Sequence, residues 1–213
     1  MSSEAPILTG PEQADTCLIL AHGAGQGPDS PFMDGIAERL AAAGLRVIRF
    51  CFPYMARMQR EGRRRPPDRE PVLIEAFSAV IDQTRGQADR LLIGGKSMGG
   101  RIASLIADQA GVDGLVCLGF PFHPPGKPER LRGDHLSRIR TPTLICQGER
   151  DPFGRRDEVT SYALSSAVTL CWIDDGEHSF KPRARGGRTL EDNLSQAAAA
   201  VMAFAARLGS AAL

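Results

Sequence analysis

Residues 95–99 read Gly95-Lys96-Ser97-Met98-Gly99, between a short apolar run, Arg90–Gly94, and a segment of helical period that begins at once. A Gly-x-Ser-x-Gly stretch at a strand-to-helix junction is a very tight turn. Side chains two positions either side of the serine would collide with neighbouring backbone, so glycine stands at both. The turn lifts the serine hydroxyl above the end of a sheet and aims a helix N-terminus at whatever charge develops there. Such a chain needs a strand before the turn, a helix after it and a buried sheet to seat both. Gly95-Lys96-Ser97 also resembles the end of a phosphate-binding loop, but that motif requires a glycine five residues before Gly95. Position 90 is Arg, so the nucleotide reading fails.

The rest of the chain supplies the sheet. Apolar runs bounded by turn residues alternate with longer segments of helical period, the signature of a parallel sheet covered on both faces. The runs predict about six mostly parallel strands, at Thr16–Ala21, Arg46–Phe50, Arg90–Gly94, Gly114–Leu118, Thr143–Cys146 and Val168–Ile173. Helices are predicted from Pro31 to Ala43, with Ser30 as N-cap and Gly44 as the stop, and from Pro71 to Thr84. A third follows Ser97 and buries Ile102, Leu105 and Ile106; a last one runs from Leu190 to Leu208, with Thr189 and Asp192 spaced as a capping box. At 213 residues and 42% hydrophobic content the chain supports one core, and a single domain is predicted over 1–213. Met1–Glu12 reads as a polar tail, and Pro53–Glu70, rich in Arg and Pro, as a basic surface loop (53–70). No insertion is long enough for a lid domain, which predicts an open site.

A formal net charge of +1 gives no global field to attract nucleic acid. No stretch approaches the ~18 apolar residues that span a bilayer. The polar Met1–Glu12 lacks the basic start and apolar run of a secretory signal, so a cytoplasmic location is expected. Cys17, Cys51, Cys117, Cys146 and Cys171 match neither zinc-ligand spacing nor a disulfide framework and read as reduced, buried thiols. Neither a metal nor an organic cofactor is expected, and no pattern here encodes an oligomeric state.

A serine hydroxyl is a poor nucleophile until a base takes its proton, and the four histidines are His22, His123, His135 and His178. Where such a turn sits on a parallel sheet, the chain order is Ser, then acid, then His. That order selects His178, in the loop after the last predicted strand. The acid belongs after the preceding strand, in Gln147-Gly148-Glu149-Arg150-Asp151-Pro152; Asp151 is the choice and Glu149 the runner-up. Two backbone donors are needed for an oxyanion. One is the amide of Met98, after the nucleophile, and the other is assigned to Ala24 in the glycine-rich loop His22-Gly-Ala-Gly-Gln-Gly27. His22 reads as a residue that fixes this loop. His123 either lines the acyl or alcohol pocket or packs structurally, and Lys96 reads as the exposed, variable position of the turn and, with His123, as a possible pocket residue.

These residues resemble a compact α/β-hydrolase-like family that includes testis-expressed and chromatin-complex (NSL subunit) homologues and many uncharacterised bacterial hydrolases. The resemblance spans nearly the whole chain. Its marks are Ala21-His-Gly-Ala-Gly25, Arg49-Phe-Cys-Phe-Pro-Tyr54, Gly94-Gly-Lys-Ser-Met-Gly-Gly-Arg101, Phe120-Pro-Phe-His-Pro124 and Gly176-Glu-His178. It implies a minimal α/β-hydrolase fold lacking the first two strands of larger relatives, and it reaches relatives thought to act as interaction subunits. More distantly the chain looks like the dienelactone hydrolases, where the nucleophile is usually Cys; Ser97 departs from that pattern.

The function expected is a serine hydrolase of carboxylesterase or thioesterase type, acting on a small-molecule ester or thioester through an acyl-enzyme at Ser97. The alternative is a catalytically idle, hydrolase-like protein-interaction module. Three loops predicted near Ser97 are basic. Pro53–Glu70 has six Arg against three acids, Gly126–Arg140 five basic residues against two acids, and Lys181–Arg188 four basic residues and no acid. Such an asymmetry fits an anionic substrate, and it equally fits ordinary solvated loops.

Overall fold

The computed structural model describes residues 5–210; the first four residues of the predicted tail and the last three of the chain lie outside the described residues. Seven strands form one sheet: β1 (Ile7–Thr9), β2 (Thr16–Ala21), β3 (Arg46–Phe50), β4 (Arg90–Lys96), β5 (Gly114–Leu118), β6 (Thr143–Gly148) and β7 (Val168–Ile173). Their order is β1-β3-β2-β4-β5-β6-β7, antiparallel at β1 and parallel elsewhere. Ser97 follows β4, at the centre of the sheet, with loops after β2 and β5 on either side.

Period-2 alternation divides the core between two layers. Cys17, Ile19 and Ala21 of β2 join a cluster with Phe50, Ile93, Cys117 and Ile145. That face is covered by α2 (Pro53–Glu61), α3 (Glu70–Thr84) and α4 (Met98–Ala110). Leu18 and Leu20 point the other way, into a cluster with Val116, Cys146 and Ile173 under α1 (Pro31–Ala42) and α6 (Leu190–Ser210). Each fully buried Leu or Ile stabilises by about 1.5–3 kcal/mol, which is why the strands read as unbroken apolar runs.

Helix ends follow the local chemistry in most cases. Pro31 opens α1 from an extended Ser30, which makes no side-chain cap bond, and Gly44 at φ +96° ends the turn. At α6 the Thr189 Oγ1 accepts from the Asp192 amide (3.1 Å), while the Asp192 carboxylate accepts from the Thr189 amide (2.8 Å), a complete capping box with Asp in place of Glu.

Three expectations need correction. The N-terminal tail contains a strand: Ile7–Thr9 pairs antiparallel with β3. Buried Arg49 of β3 reaches across to Thr9 Oγ1 (3.2 Å), to the Pro28 carbonyl (2.8 Å) and to Asp34 of α1. Three residues are too few for alternation to register, so tertiary pairing alone reveals the strand. The predicted loop 53–70 is instead a helix over its first half: Pro53 presets the first turn, Gly62 in the left-handed region closes it, and Tyr54 and Met55 are buried. Its arginines lie on the solvent side and masked the pattern. Lastly, Cys17, Cys117 and Cys146 are buried but Cys51 and Cys171 are only half-buried; no disulfide forms among the described residues.

Candidate active site

The turn after β4 bends as its glycines require. Ser97 adopts φ +50°, ψ −114°, a conformation L side chains avoid, while its amide still pairs with the Leu118 carbonyl (3.0 Å) and its carbonyl opens α4 by accepting from Arg101 (3.0 Å). A Cβ on Gly95 would lie 2.6 Å from the Ala21 carbonyl oxygen, and one on Gly99 2.5 Å from the same atom. That neighbour is a backbone atom of β2 and cannot yield.

Three separate loops converge on the serine. His178 Nε2 lies 2.9 Å from Ser97 Oγ, and His178 Nδ1 lies 2.8 Å from Asp151 Oδ2. The carboxylate sets the tautomer: Nδ1–H donates to Asp151, leaving Nε2 to accept from the hydroxyl. Asp151 has no exposed surface, and its charge is met by the Gln147 side-chain amide (3.0 Å to Oδ2) and the Phe153 backbone N–H (2.9 Å to Oδ1). The Phe153 ring rests on the imidazole, with centroids 4.3 Å apart. Glu149, the alternative acid, faces elsewhere. It accepts from the Asp175 amide (3.0 Å) and Arg156 (2.6 Å), which hold its carboxyl below the usual range, and it braces the base of the histidine loop.

On the other side of Ser97, a Cβ on Gly23 would lie 3.7 Å from the serine Cβ, so the glycine-rich loop runs directly beside the nucleophile. Two side chains fix the peptide there. His22 Nδ1 donates to the Gly23 carbonyl (2.7 Å), and Tyr54 Oη lies 3.2 Å from that oxygen and 3.0 Å from the Ala24 carbonyl. Since His22 Nε2 accepts from the Phe52 amide (3.0 Å), its tautomer is set, and burial holds its pKa down, so the ring is neutral. With the Gly23 carbonyl held by these donors, the trans peptide turns the Ala24 N–H the opposite way. Sequence reasoning singled out His22 as the residue that fixes this loop but missed Tyr54, because residues 53–61 read as a loop.

Lys96 is not the exposed position expected of it. It is buried at 8% exposure, and its ammonium donates to the His178 carbonyl (2.5 Å) beside the Phe32 ring. Burial lowers its pKa to about 8, against the opposing pull of Asp151 and Glu177. His123 is buried at 1% exposure; Nδ1 donates to the Pro124 carbonyl (2.9 Å) and its amide to Phe153 (3.1 Å), so it packs under the Phe153 loop. Gln147, missed in the sequence, is also buried and joins Asp151 to both backbone groups of Phe120.

A domain model described as alpha/beta hydrolase domain matches residues 14–206. The chain belongs to the alpha/beta hydrolase family. Among solved structures it is similar to an α/β serine hydrolase without a lid from Xanthomonas campestris (20% identity, 92% of this chain and 87% of that one, TM-score 0.71). It is also similar to an α/β serine hydrolase homologue from Coxiella burnetii (21%, 90% and 89%, 0.70) and to a dienelactone hydrolase from Anabaena variabilis (24%, 92% and 89%, 0.70). At these identities the likeness establishes the fold. Among the described residues of this hydrolase no helix is long and apolar enough to cross a membrane, and no group of three or more His, Cys, Asp or Glu side chains could hold a metal. Cavities of about 230 and 290 Å³ lie between α3 and α4 and beside Tyr162, and neither is lined by Ser97, Asp151 or His178.

Proposed function

We propose that this chain is a serine esterase or thioesterase working through an acyl-enzyme. The observation that carries the reading is the continuous hydrogen-bonded line from Ser97 Oγ through His178 to buried Asp151, at 2.9 and 2.8 Å. Ser97 Oγ attacks the carbonyl carbon as its proton passes to His178 Nε2, and the Met98 and Ala24 amides take the developing oxyanion. The imidazolium returns that proton to the departing alkoxide or thiolate as the C–O or C–S bond breaks. Water then attacks the acyl-serine, giving its proton to Nε2, and the carboxylic acid leaves with Ser97 regenerated. Asp151 holds the imidazole in the required tautomer throughout.

A fluorophosphonate probe tests this reading. Labelling of the wild type that disappears in Ser97→Ala and falls sharply in His178→Ala supports it; an unlabelled wild type would favour the interaction module. A preference for anionic substrates rests on the basic loops, although ion pairs such as Arg57–Asp68, Arg183–Asp175 and Arg188–Asp174 take up part of their charge. It is read as a rate advantage of anionic over neutral esters that fades at high salt, and equal rates at both salt levels remove it.

A further inference from the structure

A lysine immediately before a nucleophilic serine would be expected to extend into water, because desolvating an ammonium is costly. Lys96 instead turns under the histidine loop, into a space that Gly119 leaves open. A Cβ placed on Gly119 would lie 3.0 Å from Lys96 Nζ and 3.4 Å from His178 Nδ1, so the ammonium and the ring nitrogen border the same small volume. Nζ donates to the His178 carbonyl at 2.5 Å. The charged groups around the imidazole are therefore Asp151 from the turn after β6, Lys96 from β4 and Glu177 from the histidine's own loop. Glu177 is occupied by the Ser179 (2.7 Å) and Lys181 (3.1 Å) amides; further out, Asp175 is paired with Arg150 and Arg183, and Glu149 with Arg156. Of the three groups around the imidazole, Lys96 is the cation.

We propose that Lys96 is a positioning residue for the base: its ammonium pins the main chain of His178, so that the imidazole keeps its lone pair toward Ser97. The inference rests on the assignment of His178 as the base. Pinning fixes where Nε2 stands, and a serine–histidine distance altered by a fraction of an ångström slows proton transfer. At 8% exposure the ammonium is largely shielded from water, which strengthens this charge-assisted bond to the histidine main chain.

The test compares wild type, Lys96→Met and Lys96→Arg by the rate of fluorophosphonate labelling, by kcat and KM on a small ester and by urea unfolding. Lys96→Met should still label, showing that the Ser97 reading stands, but with kcat lower by about tenfold and KM little changed, because the misplaced base matters in proton transfer rather than in binding. Lys96→Arg, which keeps a charged donor for the His178 carbonyl, should recover part of the lost kcat. Should Lys96→Met fail to fold, Lys96→Leu supplies the arm without a donor. A folded variant without the donor that labels and turns over at the wild-type rate overturns the proposal and leaves the esterase reading intact, as does a loss of kcat that Lys96→Arg does not relieve. A wild type that fails to label overturns that reading separately.

Discussion

The side-chain amide of Gln147 and the carboxylate of Asp151 meet at 3.0 Å with no exposed surface on either residue. The same amide group also bonds the Phe120 and Gly154 carbonyls, and its oxygen accepts from the Phe120 amide. A buried carboxylate is tolerable only when its lone pairs are met, and Gln147, Phe153 and His178 together meet them. The acid is thus seated in the core, while Glu149, two residues away, stays at the surface.

That difference separates two conservative substitutions. Asp151→Asn should lower kcat by about 10³–10⁴-fold, because an amide there imposes the wrong tautomer on His178. Glu149→Gln should leave kcat within a few-fold, since its carboxylate touches Asp175 and Arg156 rather than the imidazole. Ester hydrolysis by the two purified variants decides it: similar losses in both would refute the assignment.

Tyr54→Phe removes one of the donors that hold the Gly23 and Ala24 carbonyls. The expected outcome is a kcat lower by about tenfold with KM little changed, because the loosened amide matters only when the oxyanion forms. Affinity for a boronic acid, which mimics that tetrahedral state, should fall in step. A change confined to KM would place Tyr54 in substrate binding instead.

Gly99→Ala places a methyl 2.5 Å from the Ala21 carbonyl oxygen and 2.7 Å from that of His22, both backbone atoms. Moving them disturbs β2 and the oxyanion loop together. Urea unfolding should show a loss of at least about 2 kcal/mol, at the upper part of the range for overpacked sites. A midpoint equal to that of the wild type would mean that the elbow relaxes freely.

Lys96 links stability to pH. Its folded-state pKa, lowered from 10.5 to about 8 by burial, lies below the unfolded value. Between those pH values the unfolded chain binds the extra proton, so stability rises with pH across the window, and below about pH 8 the full cost of the buried charge is felt. Lys96→Met should therefore be more stable than wild type by roughly 3 kcal/mol at pH 7. The advantage should shrink as pH rises from about 8 to 10.5. Denaturation at several pH values measures it, and a variant less stable than wild type at pH 7 would show that the lost bond to the His178 carbonyl outweighs the relieved desolvation.

Much of this was legible in one dimension. Ile93, Ile145 and their neighbours announced the strands because both faces of a parallel sheet are buried. Ser97 was read from its glycine-flanked turn, and Asp151 and His178 from chain order, since each follows its own strand end. Residues 53–61 were misread because arginines on the solvent side hid the buried Tyr54 and Met55, and β1 because three residues carry no periodicity. Lys96 was misread because nothing adjacent to it in sequence signals the space that Gly119 leaves open for its side chain.

By itself the sequence determined the layered sheet, the elbow and the three residues that meet above it, because periodicity, glycine placement and chain order are properties of neighbouring residues. The tertiary structure alone decided that Gln147 seats the acid in the core, that Tyr54 joins His22 on the Gly23–Ala24 peptide and that the Lys96 ammonium turns inward. Each of those depends on groups far apart along the chain, whose charges and hydrogen-bonding atoms act on one another only once folding has removed the water between them.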